Sequence, residues 1–274
     1  MTEQSTITLN DGVPMPQLGL GVFQMPAEET TALTATALDL GYRAVDTAAI
    51  YRNEEGVGAA VRERDEWIFV TSKLWNSVQG YDSALRAFDE SMAKLKLDVL
   101  DLYLIHWPCP ARELYVDSWK ALVRLRQEKR VTSIGVSNFQ PVHLERIIHD
   151  TGVVPAVNQI ELHPSFQQVE LRAFHEENGI VTTSWSPLGR GAALDDPVID
   201  EVAAKHGKTP AQAILRWHLD SGLIVIPKAS SRERQAENLD IFDFTLDEDD
   251  MHRIAALDRA DGRIGPDPET FEGG

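Results

Sequence analysis

The sequence predicts a (β/α)8 barrel, and three observations carry that prediction. Eight apolar, β-branched runs of about five residues are each followed by a stretch of helical periodicity. No linker or change of composition divides the chain, and its 274 residues match the roughly 250 of such a barrel. An open doubly wound sheet fits eight βα units less well, and a single domain over residues 1–274 is the expectation.

The elements follow in order. The opening TITLNDGVPMPQLGLGVF reads as two short strands joined at Asn10, Asp11 and Gly12, a turn sequence that tolerates positive φ, and this hairpin would plug the barrel's bottom. The eight barrel runs are QLGLGVF, YRAVDT, WIFVTSK, LDLYLIH, VTSIGVSN, AVNQIEL, IVTTSWS and LIVIPK. They are continuously apolar, as strands covered by helices on one face and packed side chains on the other should be. Residues 27–40, 82–97, 114–127 and 142–149 are apolar at three- and four-residue steps, and Pro141 suits a first helical turn. Residues 210–221 and 246–257 read as further helices, the second opening on Asp247 and Glu248, which suit a helix N-terminus.

Composition narrows the function classes. With 26 Lys and Arg against 43 Asp and Glu, the net charge of −17 opposes nucleic-acid and anionic-membrane partners, so an anionic ligand must meet a local basic cluster. Cys109 is the only cysteine, which excludes an intrachain disulfide, and no apolar run approaches the ~20 residues of a membrane span. A cytoplasmic monomer acting on a small molecule is the expectation.

Chemistry belongs where barrel strands end, at their C-terminal rim. The runs close on Asp46, Lys73, His106, Ser137 and Asn138, Gln159 and Glu161, Trp185 and Ser186, and Lys228, while the loop after Asp46 carries Tyr51. Asp46 and Lys73 can neutralise each other in a buried site. A cationic Lys73 beside the Tyr51 phenol should lower its pKa below the reference of about 10 and make it a general acid, and a neutral His106 could hold a carbonyl oxygen. Each residue also has a plainer reading: a structural ion pair, a rim histidine bonded to backbone, or polar side chains satisfying loop carbonyls. Trp75, Trp107 and Phe23 are either core packing or the walls of a small pocket.

Other patterns fail on inspection. Gly19, Gly56 and Gly189 each begin G-x-G, but Gln24, Val61 and Leu194 stand where the last glycine of a dinucleotide fingerprint is needed, so Gly56 and Gly58 are read as permitting close helix packing. Gly207, Lys208 and Thr209 imitate the end of a P-loop, with Val202 in place of its first glycine. His143, His163 and His175 lack metal-ligand spacing, and no metal is assigned. Arg126 to Arg130 is a solvated helix end, and Cys109 a small packed side chain.

Taken together, DTAAIY with RNEEGVG, SKLWN, LYLIHWP, IGVSNF, VNQIELHP, SWSPLG, KTPAQAILRW, VIPK and RERQAENLDIFDF resemble the aldo-keto reductases over nearly the whole chain, especially the bacterial branch that includes the 2,5-diketo-D-gluconate reductases. The resemblance implies an NADPH-dependent oxidoreductase that reduces aldehyde, ketone and diketone carbonyls, with Asp46, Tyr51, Lys73 and His106 as a catalytic tetrad and Tyr51 as proton donor. It further implies that Ser137, Asn138 and Gln159 hold the nicotinamide carboxamide, that Trp185 beside Ser186 stacks on its ring, and that Leu188, Gly189, Lys228, Ser230, Arg234, Glu237 and Asn238 lie near pyrophosphate and adenosine phosphate. Phe23, Trp75 and Trp107 then line the substrate side. One departure bears on the cofactor: PKASSRER carries Ala229 where the family commonly has a serine for the 2′-phosphate, which leaves Ser230, Ser231 or Arg232 to compensate. Two rival readings stand beside this one: a non-catalytic NADPH-binding regulatory or structural protein of the same fold, and a metal-dependent hydrolase built on His106, Asp46 and Glu161.

Overall fold

The computed structural model describes residues 4–273; positions 1–3 and 274 of the expected domain lie outside the described residues. An antiparallel pair, β1 (Thr6–Thr8) and β2 (Pro14–Pro16), leads into eight parallel strands: β3 (Leu20–Gly21), β4 (Ala44–Asp46), β5 (Phe69–Leu74), β6 (Leu100–Ile105), β7 (Val131–Ser137), β8 (Val157–Glu161), β9 (Val181–Trp185) and β10 (Ile224–Val225). Each pairs with its sequence neighbour. The ring closes between first and last, where Gly19 N–H donates to Val225 O at 2.9 Å, Val225 N–H to Gln17 O at 2.8 Å and Gly21 N–H to Pro227 O at 3.0 Å. Each of the eight predicted runs overlaps a barrel strand.

The helices are α1 (Ala27–Leu40), α2 (Glu54–Arg62), α3 (Tyr81–Leu95), α4 (Tyr115–Gln127), α5 (Pro141–Thr151), α6 (Val169–Glu177), α7 (Pro197–His206), α8 (Pro210–Asp220), α9 (Arg232–Leu239) and α10 (Glu248–Ala255). Their starts carry the signals that the sequence offers. Pro141 and Pro210 open α5 and α8, Thr209 Oγ1 accepts the Gln212 N–H, and Asp247 caps α10 through the Asp250 N–H at 3.0 Å. Gly58 does permit close packing: a Cβ there would stand 2.1 Å from the Leu95 carbonyl at the end of α3.

Two apolar clusters divide along the strand pleat. In β6, Leu102 and Leu104 face the barrel interior while Tyr103 and Ile105 pack outward under the helices. The inner cluster joins the first residues of several strands, Ala44, Phe69, Val157 and Ile224, to Leu9 and Met15 of the hairpin. The hairpin therefore plugs the bottom as expected, and Asn10 Nδ2 ties its turn to Pro155 O at 3.0 Å and Gly179 O at 3.1 Å. With that end filled, chemistry is confined to the other.

His175 and His218 are fully buried in this scaffold. His175 joins Asn158 (2.9 Å) to Thr182 (2.8 Å), and His218 meets the Ile214 and Leu162 carbonyls at 2.8 and 3.2 Å. Burial, assisted in each by the charge of Arg172, pushes both down to about 4. The unfolded chain takes up these protons near pH 6.5, whereas the folded chain refuses them until about pH 4. This stability is therefore fully present above pH 6.5 and is lost as pH falls towards 4, on the order of 3 kcal/mol per histidine. Urea unfolding midpoints measured across that range should fall steeply, and His218→Gln, if it folds, should flatten the slope.

Candidate active site

At the C-terminal rim, Asp46 ends β4 and Lys73 lies one residue before the end of β5, on strands in register. Lys73 is fully buried, and its Nζ donates to Asp46 Oδ1 at 2.5 Å and to Thr47 O at 2.9 Å. Burial holds its ammonium below the ordinary lysine range, against the opposing pull of Asp46. Above this pair, the Tyr51 ring centroid is 5.1 Å from Nζ and 5.8 Å from the His106 ring. The loop carrying Tyr51 is pinned by its buried neighbours. Thr47 Oγ1 donates to Asn53 Oδ1 (2.7 Å), Asn53 Nδ2 to Val22 O (2.9 Å), and Ser72 Oγ to Glu54 Oε1 (2.6 Å).

One expectation is corrected here. The Tyr51 hydroxyl is pushed well above the ordinary phenol range, not below it, by burial and by the negative charge of Asp46. The ammonium expected to favour phenolate is committed to Asp46 instead, so Tyr51 stays protonated. His106 is held well below the ordinary histidine range by burial and by Lys73, and is neutral; its Nδ1 is buried without a hydrogen-bond partner.

A chain of hydrogen bonds runs from this cluster along the rim. Asp46 Oδ2 accepts from Gln159 Nε2 (2.7 Å), the Gln159 carbonyl from Ser137 Oγ (2.7 Å), Ser137 Oγ from Asn138 Nδ2 (3.0 Å), and Asn138 Oδ1 from Trp185 Nε1 (2.8 Å). Asn138 Nδ2 also donates to His106 O at 3.0 Å. Asn138 and Ser186 lie in left-handed backbone, with φ of 65° and 50°.

These residues surround a cavity of about 390 Å³. Asp46, Tyr51, His106, Ser137, Asn138, Gln159, Trp185, Ser186 and Lys228 line it, as do Phe23, Trp75 and Trp107, which thus serve as walls. Lys73 lies beneath, and Leu188, Gly189, Ser230, Arg234, Glu237 and Asn238 lie outside the lining. Ser230 and Arg234 are exposed beyond Lys228, whose Nζ reaches Ser230 Oγ at 3.4 Å. Glu237 is engaged by Thr209 Oγ1 at 2.6 Å, and Asn238 is buried. Seven lining residues lie outside the site candidates named from the sequence: Gly21, Ile50, Pro187, Arg190, Ile226, Pro266 and Phe271. Arg190 follows the SPLG segment closely enough to have been found, whereas Pro266 and Phe271 reach the cavity from the far end of the chain. Cys109 is packed as expected, with Sγ at 3.3 Å from Glu272 O and its thiol pushed up to about 12 by burial.

The aldo/keto reductase family model matches residues 17–259. This chain belongs to the aldo-keto reductase family. It is 56% identical over 268 residues to an aldo-keto reductase of Mycolicibacterium smegmatis, with 97% of each chain covered. It is 50% identical over 278 residues to the methylglyoxal reductase DkgA of Escherichia coli, with 100% of each covered. Among solved structures, a mutant of Gox0644 in complex with NADPH superposes with a TM-score of 0.96 at 58% identity, covering 98% of this chain and 99% of that one. The reductase is thus an NADP-dependent oxidoreductase, and the hydrolase reading falls; Glu161, its third candidate group, does not line the cavity.

The donor set fits NADPH. Ser137, Asn138 and Gln159, with amide and hydroxyl groups, line the cavity together with the cations Arg190 and Lys228 and the aromatic Trp185. Lys228, Arg232 and Arg234 form no ion pair among the described residues.

The buried pair gives a test independent of turnover. Asp46→Asn leaves the Lys73 ammonium without its counter-charge and should lower stability by about 3–5 kcal/mol in urea titrations, whereas Asp46→Asn combined with Lys73→Met should lose less than Asp46→Asn alone. A double variant as unstable as the sum of the two singles would refute the coupling.

Proposed function

We propose that the reductase converts small aldehyde, ketone and dicarbonyl substrates to alcohols, with Tyr51 as the proton donor and the Asp46, Tyr51, Lys73 and His106 group as its catalytic tetrad. The observation that carries this reading is the position of the protonated Tyr51 ring between neutral His106 and buried Lys73, in the wall of an aromatic-sided cavity. Bound NADPH supplies the hydride. Neutral His106 then offers an N–H to the carbonyl oxygen and orients it. An alkoxide is a stronger base than a phenolate, so Tyr51 can protonate the reduced oxygen despite its raised pKa. The intact group argues against a non-catalytic NADPH-binding role.

On the cofactor side, Ser137, Asn138 and Gln159 are proposed to hold the carboxamide, exchanging some of their mutual hydrogen bonds for it, and Trp185 to stack on the ring. Lys228, Ser230 and Arg234 take the 2′-phosphate, with Ser230 on the exposed side where buried Ala229 offers no hydroxyl. The substrate is a small dicarbonyl of the kind named for the Escherichia coli relative, on the strength of that relative and of the narrow apolar walls Trp75, Trp107 and Phe23.

Tyr51→Phe should lose roughly two to four orders of magnitude in turnover while NADPH still binds, as read by stopped-flow kinetics and cofactor titration. Near-normal turnover would sink the assignment. Arg234→Ala should weaken NADPH about tenfold to a hundredfold and NADH little, and added salt should weaken NADPH more than NADH. Equal losses for both cofactors would place Arg234 outside the 2′-phosphate site.

A further inference from the structure

We propose that Glu161 is a positioning residue that sets which carbonyls fit, by clamping the C-terminal tail against the edge of Trp185. The proposal rests on the reading of the cavity as a carbonyl-substrate pocket. Glu161 ends β8, two residues after Gln159 and therefore on the same face of the strand, and it is only 1% exposed. A carboxylate so buried needs donors, and it takes them from a segment about a hundred residues away. Oε1 accepts the Ile264 N–H at 2.6 Å and Oε2 the Gly265 N–H at 2.8 Å, while His163 Nε2 lies 3.1 Å from Oε1. These donors hold the carboxyl below the ordinary glutamate range in spite of its burial.

The clamp leaves no free space at Gly265. A Cβ there would stand 2.5 Å from Trp185 Cη2 and 2.7 Å from Glu161 Oε2, so the tail backbone is wedged between the carboxylate and the indole edge. Immediately beyond, Pro266 lines the cavity, and Phe271 completes the wall with its ring 4.5 Å from that of Trp107. The far end is tied by Arg112, whose Nε donates to Glu272 Oε2 at 2.9 Å, and by Asn76 Nδ2, which donates to Glu272 O at 3.3 Å. Residues 266–271 thus span two fixed points, and moving either moves the wall. This segment lies beyond residues 17–259, the part matched by the family model. The clamp should act on the carbonyl side and spare the cofactor side, because Trp185 keeps its own hydrogen bond to Asn138.

Glu161→Gln preserves shape but gives up one acceptor oxygen. With methylglyoxal as the probe, KM should rise about tenfold, kcat should stay within about twofold, and the NADPH dissociation constant, from protein fluorescence, should stay within about threefold. Trypsin should cleave faster after Arg263. Phe271→Ala should raise KM similarly, and the double variant should add little, since both changes act through one wall. Gly265→Ala, which leaves the carboxylate intact, should reproduce the KM shift and guards against misfolding of the first variant. A large kcat loss at unchanged KM, additive KM effects, or KM unchanged with the tail released would each overturn the proposal. Wild-type turnover of methylglyoxal is the control. Its absence would fail the functional reading alone, and an unchanged trypsin cleavage rate would then overturn the clamp.

Discussion

The rim is organised around the pairing of Lys73 with Asp46 inside a closed ring of strands. Neither charge can be left alone in that environment, and water is not there to replace a partner. Asp46 divides its oxygens, one towards Lys73 on the neighbouring strand and one towards Gln159 from β8 across the barrel. Three strands are thereby fixed at one point, and the loop carrying Tyr51 is built above it. The scaffold's contribution is to make that point rigid: the hairpin fills the floor, helices cover the outer faces, and Thr47, Asn53 and Glu54 anchor the loop on either side of the phenol.

The same arrangement ties the cofactor-facing residues to the tetrad. Hydrogen bonds run from Trp185 through Asn138 and Ser137 to the Gln159 backbone carbonyl, and the Gln159 side chain separately donates to Asp46, so the two groups of residues share Gln159. Aromatic walls around the cavity keep electrostatic effects strong, because charges interact over longer distances where water is excluded. A chain with a net charge of −17 nevertheless places Lys228, Arg232 and Arg234, unpaired among the described residues, within seven residues beyond β10, which concentrates attraction for phosphate there.

Much of this was legible in the sequence because a barrel strand is apolar on both faces and becomes polar only where it reaches the rim. Asp46, Lys73, His106, Gln159 and Trp185 interrupt or close such runs and could be read as convergent. The direction of the Tyr51 shift was not legible: the sequence supplies neighbours without distances, and the ammonium had a stronger claim from Asp46 than from the phenol. The partners of Glu161 were not legible for a related reason. Its donors are backbone groups of Ile264 and Gly265, and a backbone N–H leaves no mark in the sequence. The reading of Gly56 and Gly58 as permitting close helix packing holds in α2, where a Cβ at Gly58 would meet the Leu95 carbonyl.

The ring of strands is uneven. β6 and β7 run for six and seven residues, whereas β3 and β10, which close the circle, have two each. The seam between them is held by a few backbone hydrogen bonds, the outermost from Gly21 to Pro227, next to Lys228. Local opening begins where backbone bonds are fewest, so the weakest arc of the circle is also the arc that borders the phosphate-attracting loop. The residue that receives the seam's outermost bond, Pro227, directly precedes Lys228, so a phosphate held only by the closed ring would favour that closure by mass action.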